Sequence, residues 1–346
     1  MPRNATQVQQ VGQRGTTRRT MLRGGAAAGA AAALGAAGLF ATRTADAATT
    51  AGSGTGGLPY PAGVTDTSHC TPGAAAVFRG FFTAKSKHDL TALMSYFSTA
   101  DTTYIDASLG VSLSSWEAVK STFGTAFASA PASAISYPLR IVGDTGSAAV
   151  ELVDTPDFFV PQELRALSSV TFDSQGKITR WVDYWDGRSA LIQNVIAKSY
   201  PADFKDAEQN ADPAAVRAAQ KLQSAFAAGD AAAAVALMSA DVVHEDMAAH
   251  TRVRGQSQAL RYYRRALGQL PYGPGAALVH AEGGSQGGGY EWSAAAGAAP
   301  MRRGHTCVEL DQAGQISRLT AIYDSSLLSY AAYQSLVGLA AEAPLS

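Results

Sequence analysis

The chain has 346 residues, of which 47% are apolar and 16% charged, with a net charge of −1. That length holds two domains of roughly 100–200 residues. The composition excludes a disordered polyelectrolyte, and the charge gives no broad basic field for nucleic acid. Two cysteines, Cys70 and Cys307, exclude a disulfide-rich scaffold and an all-cysteine zinc site.

The N-terminal segment reads as an address. Arg18 and Arg19, with Leu22 close behind, resemble a twin-arginine export signal, and a soft Ala/Gly run follows to Ala41. Ala45-Asp46-Ala47 supplies the small residues of a cleavage site, so 1–47 is expected to be removed. A membrane span of about 20 strongly apolar residues is not offered, and no stable membrane insertion is expected after cleavage. Cleavage removes six arginines and one aspartate, taking 27 basic and 28 acidic residues to 21 and 27, and the net charge from −1 to −6. The mature chain is thus expected outside the cytoplasm, with neither nucleic acid nor anionic membrane as partner. Residues 48–72, rich in Thr, Gly, Ser and Pro, read as a flexible linker.

Two similar halves follow. Helices are expected over 74–84, with Val77, Phe78, Phe81 and Phe82 at helical spacing, and over 89–97. The second half repeats them over 216–228 and 231–239, and Ala-Leu-Met-Ser occurs at 92–95 and at 236–239. The match then runs without gaps at an offset of 140. Asp101 falls on Asp241, Asp106 on Asp246, Phe123 on Tyr263 and Pro131 on Pro271. Amphipathic helices are expected over 117–127 and 257–267. Each half closes on a hairpin built around Asp-x-x-Gly, at Asp173–Gly176 and Asp311–Gly314. The expected architecture is α+β: two tandem domains, 73–198 and 214–346, each with helices packed in a curved antiparallel sheet. Residues 199–213, bounded by Pro201 and Pro213, join them.

Asp241-Val-Val-His-Glu-Asp246 with Arg254-Gly255, and Asp101–Asp106 with Phe172–Trp185, resemble the nuclear transport factor 2-like superfamily, in particular its ketosteroid isomerase and SnoaL-like cyclase members. The resemblance covers nearly all of 74–195 and 214–335. It implies that both domains are cone-shaped, with an apolar pocket in the mouth of each cone and with Asp106 and Asp246 at the position of the isomerases' general base. A carboxylate there is chemically sensible, because an apolar pocket raises its pKa toward neutrality. The isomerases' tyrosine position falls on Phe81 and Leu222, and their second acid on Ser168 and Thr306. None of these replaces the missing enolate stabiliser, so a steroid isomerase mechanism is not expected.

Strand alternation extends the site. It places His244 beside Asp246, with Glu245 turned away, and Tyr104 beside Asp106. On the last strand of the first half it groups Trp181, Asp183 and Trp185, against Leu319, Ala321 and Tyr323 in the second; the resemblance implies that this face lines the pocket, the alternative being an aromatic core with Asp183 hydrogen-bonded to backbone at its rim. The candidate catalytic residues are therefore Asp246, His244, Asp106 and Asp183. The candidate ligand-binding residues are Tyr104, Trp181, Trp185 and Tyr323.

No metal is expected, since His244, Asp246, His250, His280 and His305 match no recognised ligand spacing. No cofactor is expected either. The glycines between 283 and 289 lack a phosphate-loop context and read as a hairpin, and Arg261, Arg264, Arg265, Arg302 and Arg303 read as a solvated face. Cys70 and Cys307 are either one disulfide or, for Cys307, a buried strand thiol. Two functional readings remain: an acid/base isomerase, cyclase or dehydratase acting on a small apolar, oxygenated molecule, or a non-catalytic extracytoplasmic binding module. The expected assembly is a pseudo-dimer of the two halves or a homodimer.

Overall fold

The computed structural model describes residues 57–191, 200–298 and 300–341. The segment expected to be an export signal, 1–47, lies outside the described residues. The first half runs β1 (Asp66–Cys70), α1 (Pro72–Ser86), α2 (Leu90–Met94), β2 (Thr103–Asp106), β3 (Val111–Leu113), α3 (Trp116–Ser129), β4 (Ser136–Gly143), β5 (Ser147–Asp154), β6 (Leu164–Phe172) and β7 (Ile178–Trp185). The second runs α4 (Pro213–Ala227), α5 (Ala231–Ala236), β8 (Met238–Asp246), β9 (Thr251–Arg254), α6 (Gln256–Ala266), β10 (Ala277–Gly284), β11 (Gly287–Ser293), β12 (Arg303–Leu310), β13 (Ile316–Ile322) and α7 (Tyr330–Gly338).

The two sheets have one strand order. The first is β1-β4-β5-β6-β7-β2-β3, and the second is β10-β11-β12-β13-β8-β9, lacking only the counterpart of β1. Most neighbours are antiparallel, as expected, but β2 on β7 and β8 on β13 are parallel, and β1 lies parallel to β4. Both halves also break register at the same places. The β4/β5 ladder slips between Pro138 and Arg140 and the β10/β11 ladder between Leu278 and His280, 140 residues on. Such slips bend a strand and help a sheet curl around its helices.

Local chemistry explains the element ends. Pro72 and Pro213 open α1 and α4 behind the caps Thr71 and Asp212, whose side chains accept from Ala74 N and Ala214 N. Asp89 and Asp230 cap α2 and α5 in the same way. In the two Asp-x-x-Gly turns the aspartate Oδ1 accepts two backbone N–H groups, and Gly176 and Gly314 take φ of 72° and 75°.

The stretch expected to be a linker before the first domain is partly structured: 66–70 form β1 on the edge of the sheet, and Tyr60 is buried against Tyr137. The segment between the halves is also packed in, with Phe204 buried and Asn210 Nδ2 donating to Phe172 O. Cys70 and Cys307 are free buried thiols, Cys307 on β12, so no disulfide joins them.

Each half has its own core. Phe78, Phe81, Leu93 and Phe123 pack against Trp181 in the first, and Leu222, Phe226 and Tyr263 pack against Trp292 in the second. A third cluster draws on both: Ile105, Val142, Leu167, Val182 and Tyr184 meet Met247, Cys307 and Ile322. The sheets therefore cover each other's outer faces, while the faces that cup the helices carry the candidate sites. Each fully buried Leu, Ile or Val in this seam contributes about 1.5–3 kcal/mol.

Candidate active site

Strands β2 and β7 lie parallel with Tyr104 opposite Trp181 and Asp106 opposite Asp183. Parallel neighbours in register point to one side of the sheet. Tyr104, Asp106, Trp181, Asp183 and Trp185 therefore share the concave face, and Ile105, Val182 and Tyr184 fall in the seam. Asp183 is the better solvated by protein. Ser168 Oγ and Trp181 Nε1 (2.6 Å) donate to its Oδ1, and Tyr104 OH donates to its Oδ2. Asp106 accepts the Leu109 N–H (2.8 Å) and shares the Trp185 indole N–H between its oxygens at 3.1 and 3.0 Å.

Burial drives the Asp106 carboxyl up to about 7, and the neighbouring Asp183 charge pushes the same way. Burial raises Asp183 as well, against the opposing pull of the Lys85 ammonium and its three hydrogen bonds. Yet Tyr104, Asp106 and Asp183 keep some accessible surface, between Trp181 and Trp185 that keep almost none. The dyad thus combines buried carboxyls with partly exposed residues beside two buried indoles.

Sequence reasoning missed Lys85. It lies in the last turn of α1, four residues after Phe81, and only 3% of its surface is exposed. Its Nζ pairs with Asp154 Oδ1 at 2.9 Å, with the Phe158 and Phe159 rings 5.3 and 5.2 Å away. A lysine on the apolar stripe of a helix was the available signal. Phe81, at the isomerases' tyrosine position, stacks on Trp181 at 4.8 Å. Ser168, at the second-acid position, serves Asp183 instead of a ligand.

The second half is built differently. His244 and Asp246 do point inward together, and Glu245 points away into Arg165, Arg252 and Arg318. They do not bond to each other: Tyr263 OH meets His244 Nδ1 at 2.9 Å, while Tyr272 OH and Ala249 N hold Asp246 at 3.0 and 2.8 Å. Burial lifts Asp246 to about 7 and drops His244 to about 3, so the imidazole is neutral at physiological pH. The expected proton-sharing His–Asp pair is therefore not formed. His244, Asp246 and Tyr323 have no exposed surface. Leu319 and Ala321 stand beside His244 and Asp246, where the first half has Trp181 and Asp183. His250 is exposed near Ser189, away from this group. Of the basic side chains read as a solvated face, Arg303 lies in the seam on Asp206 and Glu291.

The chain matches no protein-family model and no curated protein sequence. Among solved structures it is similar to a SnoaL-like protein of unknown function from Burkholderia thailandensis (16% identity, 33% of this chain and 95% of that chain, TM-score 0.29). It is similar to a steroid delta-isomerase from Pseudomonas aeruginosa (16%, 38% and 92%, TM-score 0.30). A nuclear transport factor 2-like protein of unknown function from Cytophaga hutchinsonii matches at 10% identity, over 33% of this chain and 91% of that chain, with a TM-score of 0.27.

Proposed function

We propose that the first half is an acid/base site for a small, largely apolar, oxygen-bearing molecule, and that Asp106 moves the proton. The observation that carries this reading is the register pairing of Asp106 with Asp183 on a partly exposed face lined by aromatic side chains. Two adjacent carboxyls do not ionise together easily, so one holds a proton while its neighbour carries the charge. Asp183 has three donors and keeps the charge. Asp106 has fewer, and its value of about 7 suits it to take a proton from carbon beside a carbonyl and return it elsewhere. Trp181 and Trp185 fix Asp183 and Asp106 through their indole N–H groups.

The second half serves in this reading as a non-catalytic copy, sealed around Asp246 and lacking the second carboxylate. The two halves act as an intramolecular pseudo-dimer. Export through the twin-arginine route, read from Arg18 and Arg19, would place the reaction outside the cytoplasm.

The test is solvent deuterium exchange, followed by NMR, at carbon next to the carbonyl in a panel of cyclic ketones and enones, with Trp fluorescence reporting binding. Asp106→Asn should lower exchange by about 10²–10⁴-fold while binding persists. Ligands that bind without exchange, or exchange unchanged in both Asp106→Asn and Asp183→Asn, would make the protein a binding module instead.

A further inference from the structure

The opposite face of the second sheet holds a group that the acid/base reading does not use. His280, Glu291 and His305 lie in one row across β10, β11 and β12, each the register partner of the next. Glu282, two residues along β10, shares the face of His280. All four side chains are fully buried in the seam between the sheets. One donor atom from each of His280, Glu282 and Glu291 lies within 4.8 Å of the others.

The geometry points to a divalent-cation site formed by His280, Glu282 and Glu291, with His305 beside it. Three observations support it. First, His280 Nδ1 lies 3.0 Å from the Asp206 carbonyl oxygen. A carbonyl only accepts, so Nδ1 carries the proton and Nε2 presents its lone pair, which is the usual arrangement of a metal-binding histidine. Second, His280 Nε2, Glu282 Oε2 and His305 Nδ1 are buried and have no hydrogen-bond partner among the described residues. Buried polar atoms are seldom left so, and these three are all electron-pair donors. Third, the equivalent place in the first half is already filled by a cation. There Arg140 is the register partner of Glu151 and pairs with it at 3.5 Å, where the second half has His280 opposite Glu291. The second copy has exchanged its built-in guanidinium for an imidazole and added a carboxylate, Glu282, where the first has Val142.

Space and charge agree. Gly289 is the register partner of Glu282, and a β-carbon on it would collide with Glu282 Oε1 and His305 Nε2. Arg180 and Arg303 answer Glu291 and Asp206, whereas among the described residues Glu282 pairs with the His305 imidazole alone. Glu291 Oε1 contacts Arg180 at 2.6 Å, and a carboxylate oxygen has a second lone pair to share. A mixed imidazole and carboxylate set suits zinc or another first-row divalent ion, with bonds of about 2.0–2.2 Å, so donors now within 4.8 Å of one another close by about an ångström on binding. The ligand spacings sought in the sequence belong to helices and loops. Here the set is assembled by strand alternation and register across three strands.

The experiment uses the full chain, stripped with a chelator and titrated with zinc or cobalt(II) alone. Binding is read by metal content after desalting, by the cobalt visible spectrum and by thermal unfolding. The expected result is about one equivalent per chain, a raised melting temperature, and affinity lowered at least about tenfold in both His280→Gln and Glu282→Gln. Wild-type protein that retains no metal and shows no thermal shift overturns the proposal, even if neither variant folds. So does binding that is undiminished in the variants, which would place the ion on the surface.

Discussion

Asp106 and Asp183 are direct neighbours across a parallel strand pair, and the two carboxyls are held by unequal sets of donors. That inequality, more than burial alone, separates their roles. It predicts a rate that rises with pH through about 7 as Asp106 loses its proton and then levels off. Asp183→Asn removes a neighbouring negative charge, so the midpoint should move to lower pH. Carboxyl NMR titration, or the exchange rate against pH, checks the direction. A midpoint that moves up or stays fixed would mean that the two groups do not sense each other.

Lys85 acts on the same site through its charge. Its field holds the Asp183 carboxyl down against burial, and its Nζ neutralises Asp154. Lys85→Met should therefore raise Asp183 further and leave Asp154 buried without a partner, at a cost of about 3–5 kcal/mol. The double variant Lys85→Met with Asp154→Leu should recover most of that loss in denaturant unfolding, while Asp183 stays raised. A double variant no more stable than the single would show that packing around Phe158 and Phe159, rather than charge, sets the cost.

Asp246 makes a stability prediction of defined sign. Its carboxyl rises from an ordinary 3.8 to about 7 on folding, so the folded chain holds a proton that the unfolded chain has released between about pH 4 and 7. Stability contributed by this group is present below that window and falls as pH rises through it. Asp246→Asn keeps an acceptor for the Ala249 N–H and removes the titration. It should flatten the fall of melting temperature between pH 5 and 8 and be more stable than wild type at pH 8. Asp106 follows the same sign and supplies part of the remaining slope. A wild-type melting temperature that rises over this range would contradict the burial argument.

What the sequence made legible follows from which interactions are local. Caps, Asp-x-x-Gly turns and helical stripes involve residues a few positions apart, and they located the elements of both halves. Strand alternation groups Tyr104 with Asp106, and Trp181 with Asp183 and Trp185, and the register of β2 on β7 joins the two groups on one face. Alternation was not enough to say that Trp185 would bond to Asp106 and Trp181 to Asp183, because those pairings depend on register between distant strands. The weight first placed on His244 and Asp246 failed for a related reason. Sharing a face does not make two side chains partners, and Tyr263 and Tyr272 claimed them separately. The seam was the least legible part. Arg180, Glu282 and Glu291 alternate with core residues and resemble solvated charges until a second sheet is laid over them.

Arg180 tests how that seam holds. It is fully buried, and its guanidinium reaches Phe204 O at 2.7 Å, Ser169 Oγ at 3.1 Å, Asp206 Oδ1 at 3.2 Å and Glu291 Oε1 at 2.6 Å. It therefore ties the first sheet to the connecting segment and to the second sheet at once. Arg180→Leu keeps the apolar stem but leaves Glu291 to Arg303 and Tyr184 alone. Breaking a buried pair from one side costs about 3–5 kcal/mol. Lysine should not rescue it, because a single ammonium cannot make the forked contacts of a planar guanidinium. Denaturant unfolding followed by Trp fluorescence should show a lower midpoint for both variants. In Arg180→Leu a single transition should split in two as the halves come apart. A loss below about 1 kcal/mol would mean that Arg303 carries the seam and that the Arg180–Glu291 contact adds no more than a surface pair does.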